Sequence, residues 1–240
     1  MSMQSPLLAL QGVHAHYGKS HILHGIDLTV NRGEVVSLLG RNGAGRSTTM
    51  KSIMGLVDVT AGQITIEGRD ITGKRPFEIA RAGLGFVPEE REVFANLTVD
   101  ENLRMGEQPP RPDAPAWTIE QMFGYFPRLK ERRNTRAGNL SGGEQQMLTM
   151  CRSLLGNPKV MLIDEPTEGL APKIVEVIAD VIRDIHQRGV SVVLVEQKLT
   201  IALKVSTRVS VMGHGRIVFE GPPAQLHERQ DVVQAVSYTH

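Results

Sequence analysis

Val35-Val36-Ser37-Leu38-Leu39-Gly40-Arg41-Asn42-Gly43-Ala44-Gly45-Arg46-Ser47-Thr48 is the stretch that decides how the chain folds. Val35–Leu39 is apolar without alternation and reads as a strand buried on both faces. The glycines that follow let backbone N–H groups turn inward and approach phosphate oxygens closely. A helix, expected to run through Leu56, opens there and adds partial positive charge at the same spot. Ser47 offers a hydroxyl to a magnesium ion. The pattern is G-x-x-x-x-G-K-[ST] with one departure: Arg46 stands at the lysine position.

Outward from that loop, Val160–Ile163 reads as a second buried strand, and it ends in Asp164 and Glu165. A buried strand delivers Asp164 to its carboxyl edge, where it can hold a Mg²⁺ shell through water. Glu165, next along, can orient and deprotonate an attacking water. Val192–Val195 is a third buried strand. Between the last two, Ile174, Val177, Ile178, Val181, Ile182 and Ile185 repeat at helical spacing, which predicts an amphipathic helix from about Pro172 to Gln187. Pro172 suits its first turn and Gly189 its stop. Alternation of this kind predicts an α/β fold with a largely parallel sheet.

Two regions break the pattern. Leu7–Val13 and Ile26–Val30 read as antiparallel strands around a polar turn, a small N-terminal β-lobe. Pro109, Pro110, Pro112 and Pro115 crowd into Glu107–Ala116. Prolines at that density stop helix and sheet alike, so the segment is expected to be an exposed connector. It separates helical pieces at 98–105 and 118–133, which suggests an inserted helical subdomain.

Composition narrows the function. Among 240 residues, 27 basic and 26 acidic side chains nearly cancel, and aromatics make up 4%, so nothing points to nucleic acid. The one cysteine, Cys151, fits a reducing compartment and a small buried apolar role. Met1–Leu10 lacks a signal-peptide pattern, and no apolar run approaches the roughly 18 residues that would cross a bilayer. The chain is therefore expected to be soluble when isolated, with any membrane role supplied by partners. His14, His16, His21 and His24 cluster early, but no acidic or cysteine partner accompanies them, and they read as surface histidines beside a turn. Trp117 reads as a packing anchor.

Leu140-Ser141-Gly142-Gly143-Glu144-Gln145-Gln146 resembles the LSGGQ-type signature of ABC ATPases. Ser141 is placed as an N-cap, with glycines exposing the helix start behind it. With the phosphate loop, the acidic strand and this segment in order, the chain is similar to ABC ATPases over nearly its whole length. The resemblance is strongest to the shorter ATPase subunit of branched-chain amino-acid importers. It is carried by Val87-Pro88-Glu89, Asn96-Leu97-Thr98-Val99, Glu101-Asn102-Leu103, Thr167-Glu168-Gly169-Leu170-Ala171-Pro172 and Leu194-Val195-Glu196-Gln197. Urea and short-amide importers have similar subunits.

That resemblance implies a P-loop NTPase of ABC type over residues 1–240, a single nucleotide-binding domain with a helical subdomain at about 90–155. It implies ATP and Mg²⁺ held between two such subunits. Tyr17 would stack on adenine. Gly40, Arg41, Asn42, Gly43, Ala44, Gly45, Arg46, Ser47 and Thr48 would surround the phosphates. Ser47 and Asp164 would organise Mg²⁺, and Glu165 and Gln197 would act in hydrolysis. Leu140, Ser141, Gly142, Gly143, Glu144 and Gln145 would serve the opposite subunit's ATP. Glu89 occupies the Q-loop position, Gly169 and Leu170 the D-loop. Implied partners are two membrane-spanning permease subunits, a second, longer ATPase subunit and, indirectly, an extracytoplasmic solute-binding protein, with a homodimer possible in isolation. The implied place is peripheral, on the cytoplasmic face of the inner membrane.

Three positions depart from the general ABC pattern. Glu89 replaces glutamine and Gln197 replaces the switch histidine, so position 197 can donate to a phosphate but cannot titrate. Arg46 keeps the lysine's charge and changes its geometry from a point to a planar fork. The expectation drawn from it is a pair of unequal composite sites, with Arg46 in the poorer one, or a subunit that binds ATP with impaired hydrolysis.

Overall fold

The computed structural model describes residues 5–226, so the first four residues of the Met1–Leu10 reading lie outside the described residues. The chain divides into two compact units, one formed by residues up to Ala82 and from Ser191 onward, the other by Gly83–Val190.

The first unit opens with β1 (Leu8–Tyr17), β2 (Ser20–Val30), β3 (Val35–Gly40), α1 (Arg46–Ile53), β4 (Val59–Ile66), β5 (Arg69–Asp70) and α2 (Pro76–Ala82). The second holds β6 (Leu84–Val87), α3 (Val99–Gly106), α4 (Ile119–Tyr125), α5 (Pro127–Glu131), a 3₁₀ turn at Ala137–Asn139, α6 (Gly142–Leu154), β7 (Val160–Asp164) and α7 (Pro172–Gln187). The chain then returns to the first unit with β8 (Ser191–Val195), α8 (Leu199–Val205), β9 (Arg208–Gly213), β10 (Arg216–Gly221) and α9 (Pro223–Leu226).

In the first unit, β2-β1-β4-β5 form an antiparallel sheet, the expected β-lobe. Its hairpin is longer than the apolar runs suggested. Val13, Ala15 and Leu23 point inward while polar residues alternate with them, so the strands continue to Tyr17 and start again at Ser20. A second set runs β10-β9-β3-β8. There β3 lies parallel to both β8 and β9, and β10 returns antiparallel. Every residue of β3 and β8 is buried, as strands covered on both faces require. Leu39, Ala202, Val209, Val211 and Leu226 form one core cluster, with Leu199 and Leu203 of α8 packed against it.

In the second unit β6 and β7 are parallel. Helix α7 has the predicted bounds, but its buried stripe is Val175, Ile178, Ala179, Val181, Ile182 and Ile185. Ile174 and Val177 are only half-buried, so the stripe is turned slightly from the one read off the isoleucines. The helical piece expected at 118–133 is two short helices. Pro127 lacks the N–H a continuous helix needs, and it starts α5 at the first-turn position that tolerates proline. Likewise α1 stops at Ile53 rather than Leu56, just before Gly55 takes φ +67°. The proline connector is irregular and largely exposed, and buried Asn157 holds both its ends. Its Nδ2 donates to the carbonyl of Gln108 at 2.7 Å, and its Oδ1 accepts from the Trp117 amide at 2.8 Å. Trp117 is buried and packs under the Arg188 guanidinium, so it serves as the anchor expected. Cys151 is free and fully buried, and burial pushes its thiol far above the ordinary range.

The four early histidines are not separate surface residues. His14 pairs with His24 across the hairpin and His16 with His21. His14 Nδ1 lies 3.0 Å from His21 Nε2, and the His16 and His21 rings stack at 4.0 Å between centroids. The His21 and His24 rings touch at 3.9 Å. Desolvation, followed by His21, Arg216, His14 and His16, lowers the His24 pKa below its ordinary value. A folded-state pKa below the unfolded one means the unfolded chain binds the extra proton first. Stability linked to His24 is therefore present above about pH 6.5 and is lost as pH falls below it. Thermal unfolding at about pH 7.5 and about pH 5.5 should show a lower Tm in acid, and His24→Gln should narrow that difference. An unchanged difference in the variant would mean the acid response comes from other groups.

Candidate functional site

In the first unit, β3 turns into α1 through Gly40–Gly45. Gly45 is the N-cap at φ +104°, and a β-carbon there would meet Leu23 Cδ2 at 2.8 Å, so both backbone and space call for glycine. The Ala44 amide donates to the Arg41 carbonyl at 3.0 Å, and the Gly215 amide donates to the Ala44 carbonyl at 3.0 Å, which fixes the loop against the β9–β10 turn. The first intrahelical bond of α1 is Thr49 N to Gly45 O at 2.8 Å. The amides of Gly45, Arg46, Ser47 and Thr48 precede it and have no carbonyl one turn back within the helix. No side chain caps α1 and no acidic residue sits in its first turn. A helix start so built, with Ser47 half-buried in its first turn, has the donor set that suits phosphate and a magnesium ion.

Arg46 is buried, at 4% exposure. Its Nη2 donates to Asn42 Oδ1 at 3.0 Å, and its Nη1 donates to the Glu196 carbonyl at 3.2 Å. Glu196 is buried just past β8, and Gln197 beyond it is exposed. Tyr17, the last residue of β1, is 49% exposed, as a ring available for stacking must be.

In the second unit, β7 ends on buried Asp164, and buried Glu165 follows with φ +44°. A non-glycine residue in that region costs roughly 1–3 kcal/mol, a strain that tends to accumulate at working sites. Carboxylate oxygens of Glu89, Glu165 and Glu168 lie within 4.8 Å of one another. Partial desolvation, a hydrogen bond shared with Glu168 and repulsion from Glu165, Glu168 and Glu90 push the Glu89 carboxyl above its ordinary pKa. The Glu89 carboxylate is thus crowded by its own neighbours, among them Glu168, which the sequence offered only as part of the Thr167–Pro172 stretch.

Arg91 was missed. Its Nη2 donates to the Glu168 carbonyl at 2.8 Å, and a β-carbon on Gly142 would stand 2.3 Å from its Nη1. One guanidinium, carried by the segment after Glu89, thus touches the Glu168–Gly169 turn and the glycine after Ser141. Gly142, otherwise read only as part of a helix opening, is where this close approach falls.

Ser141 is exposed and caps α6 through a full capping box. Its Oγ accepts from the Glu144 amide at 3.3 Å, while Glu144 Oε2 accepts from the Ser141 amide at 2.8 Å. Arg132 adds an ion pair to Glu144 at 2.9 Å. Burial alone would raise the Glu144 pKa, but bonds from Ser141 and Arg132 outweigh it and hold the carboxyl low. Leu140 is buried, Gly142 and Gly143 are half-buried, and Gln145 Nε2 donates to the Ala137 carbonyl at 3.2 Å. Gly169 takes φ +64°, and the Leu170 amide donates to the Thr167 carbonyl at 3.3 Å, closing the turn after β7.

The ABC transporter family profile matches residues 23–168, which include the phosphate loop, the capped helix and the acidic strand end. The chain belongs to the ABC transporter family. It is 42% identical over 220 residues to the high-affinity branched-chain amino acid transport ATP-binding protein BraG of Pseudomonas aeruginosa, covering 92% of this chain and 94% of that one. It is 35% identical to the probable branched-chain amino acid transport ATP-binding protein LivF of Archaeoglobus fulgidus, over 91% and 93% of the two chains. An ATP-binding cassette of an ABC transporter solved in its ADP conformation superposes with a TM-score of 0.80 at 27% identity, over 96% of this chain and 98% of that one. The α/β architecture with an antiparallel lobe and helical parts is that of ABC-type P-loop NTPases, and ATP hydrolysis is expected of this family. Among the described residues no helix is long and apolar enough to cross a membrane.

The cap makes a local prediction. Ser141→Ala removes the acceptor for the Glu144 amide and should cost about 1 kcal/mol of unfolding free energy in a denaturant titration. No measurable loss would show that the cap bond does not hold the helix start.

Proposed function

We propose that this chain is the ATP-binding and ATP-hydrolysing subunit that powers an ABC importer of branched-chain amino acids. The observation that carries the solute class is the end-to-end similarity to BraG, at 42% identity over 94% of that protein. In this reading residues 1–240 work as one nucleotide-binding domain. Adenine lies on Tyr17, and the amides from Gly43 to Thr48 receive the phosphates. Ser47 and Asp164 would hold Mg²⁺, which would supply charge neutralisation at the phosphate oxygens. Glu165 takes the proton from the attacking water, held ready by the same buried, strained turn that fixes its backbone. Gln197 donates toward the terminal phosphate, and Glu89 stands at the rim where its carboxyl meets Glu165 and Glu168. Leu140–Gln145, with Ser141 exposed, serves ATP held by a second ATPase subunit, with Gly169 and Leu170 facing that subunit.

The assembly that fits is a pair of membrane-spanning permease subunits, this chain, a longer ATPase subunit and an extracytoplasmic solute-binding protein. The chain would sit peripherally on the cytoplasmic face of the membrane. A second reading, ATP binding with little hydrolysis at this chain's own loop, draws support from Arg46, whose two terminal nitrogens are already engaged by protein acceptors.

The test is Glu165→Gln in the assembled transporter with leucine as solute. ATP turnover should fall by at least about 100-fold while a fluorescent ATP analogue is still retained. Undiminished turnover would support the binding-only reading. Uptake driven by urea or a short amide, and not by leucine, isoleucine or valine, would overturn the assigned solute.

A further inference from the structure

Arg46 invites the view that a lysine site has been weakened. Its surroundings give it a different job. The side chain leaves the first residue of α1 and reaches two acceptors on two separate segments. One is Asn42 Oδ1, inside the phosphate loop, at 3.0 Å. The other is the backbone carbonyl of Glu196, in the segment that follows β8, at 3.2 Å. That carbonyl belongs to the peptide plane that also carries the Gln197 N–H, so holding one end of the plane orients the other. On the far side of Gln197, the Lys198 amide donates to Glu196 Oε2 at 3.0 Å and closes the turn. Glu196 itself is 2% exposed, so the anchor is a buried one. A guanidinium presents donors in one rigid plane and can bind both acceptors at once, whereas an ammonium is a point donor on a flexible stem.

We propose that Arg46 is a positioning residue that ties the Gln197 turn to the phosphate loop, so that Gln197 is registered against the phosphate cup before nucleotide arrives. This deepens the hydrolytic role given above to Gln197 and rests on that reading. It also gives position 46 a reason to be arginine that lysine does not satisfy. The same contact lies wholly within the first unit, so it needs no partner subunit to exist.

Two measurements separate the bridge from the functional reading. In the full chain without nucleotide, Arg46→Lys should raise the hydrogen-exchange rate of amides 197–201 several-fold, with exchange in β3 unchanged. Asn42→Ala, which removes one arm of the fork, should give a smaller rise and serves where Arg46→Lys does not fold. In the assembled transporter, Arg46→Lys should lower kcat for ATP about tenfold or more, with KM shifted far less, as loss of one charged hydrogen bond allows. Gln197→Ala should give a loss of similar size, and the double variant should be no worse than either single one. Unchanged exchange, multiplying losses, or a rise in kcat with Arg46→Lys would each overturn the bridge. A wild-type assembly that retains no ATP analogue would instead sink the functional reading, and the exchange result would still decide whether the bridge exists.

Discussion

A helix start leaves its first amides without carbonyl partners one turn back, and the two helix starts that matter in this chain are capped differently. At α6 the protein satisfies itself: Ser141 and Glu144 exchange bonds, and Arg132 neutralises the carboxylate. At α1 the cap is Gly45, which has no side chain to offer, and the first turn carries no acid. The field and the donors at α1 therefore suit an incoming anion, while α6 presents a finished, exposed tip. Much of the surrounding architecture follows from keeping the α1 turn intact. Gly45 must sit against Leu23 of the β-lobe, and the Gly215 amide must hold the Ala44 carbonyl from the β9–β10 turn. The antiparallel lobe and the strands beside β3 thus brace a single loop.

Electrostatics sharpen the contrast. In the second unit, three carboxylates from Glu89, Glu165 and Glu168 crowd together, and the Glu89 carboxyl is pushed up by desolvation and by its neighbours. Negative charge gathered at the end of β7 is unfavourable by itself, and so is the left-handed backbone of Glu165. Both fit the proposed handling of a cation and a water, the chemistry the acidic strand end was expected to carry.

The parts legible in the sequence are those written in periodicity and in short local patterns. The buried strands at Val35, Val160 and Val192 and the helix from Pro172 declare themselves by apolar runs and spacing, and the capped start at Ser141 by local pattern. The hairpin between Val13 and Ile26 did not, because its polar positions are histidines that stack on one another outside the core, and such contacts have no linear signature. At Pro127 the missing N–H overrides the helical composition around it, so the predicted helix is broken in two there.

Side chains that join distant segments are the harder case. Asn102 illustrates why the motif running from Asn96 to Leu103 has the form it does: its amide donates to the Phe94 and Thr98 carbonyls, and its Oδ1 accepts from the Phe94 amide. Asn157 does the same for the two ends of the proline connector, Arg91 for the turn after β7, and Arg46 for the turn after β8. Each bonds backbone groups in the irregular segments and helix starts between the regular elements, adding partners there. A buried polar group without partners is costly, so such side chains are held to one geometry once placed. That is the physical reason a loop-rich site can be rigid. It is also why arginine at position 46 is better understood from the two carbonyl-type oxygens it meets than from the lysine it replaces.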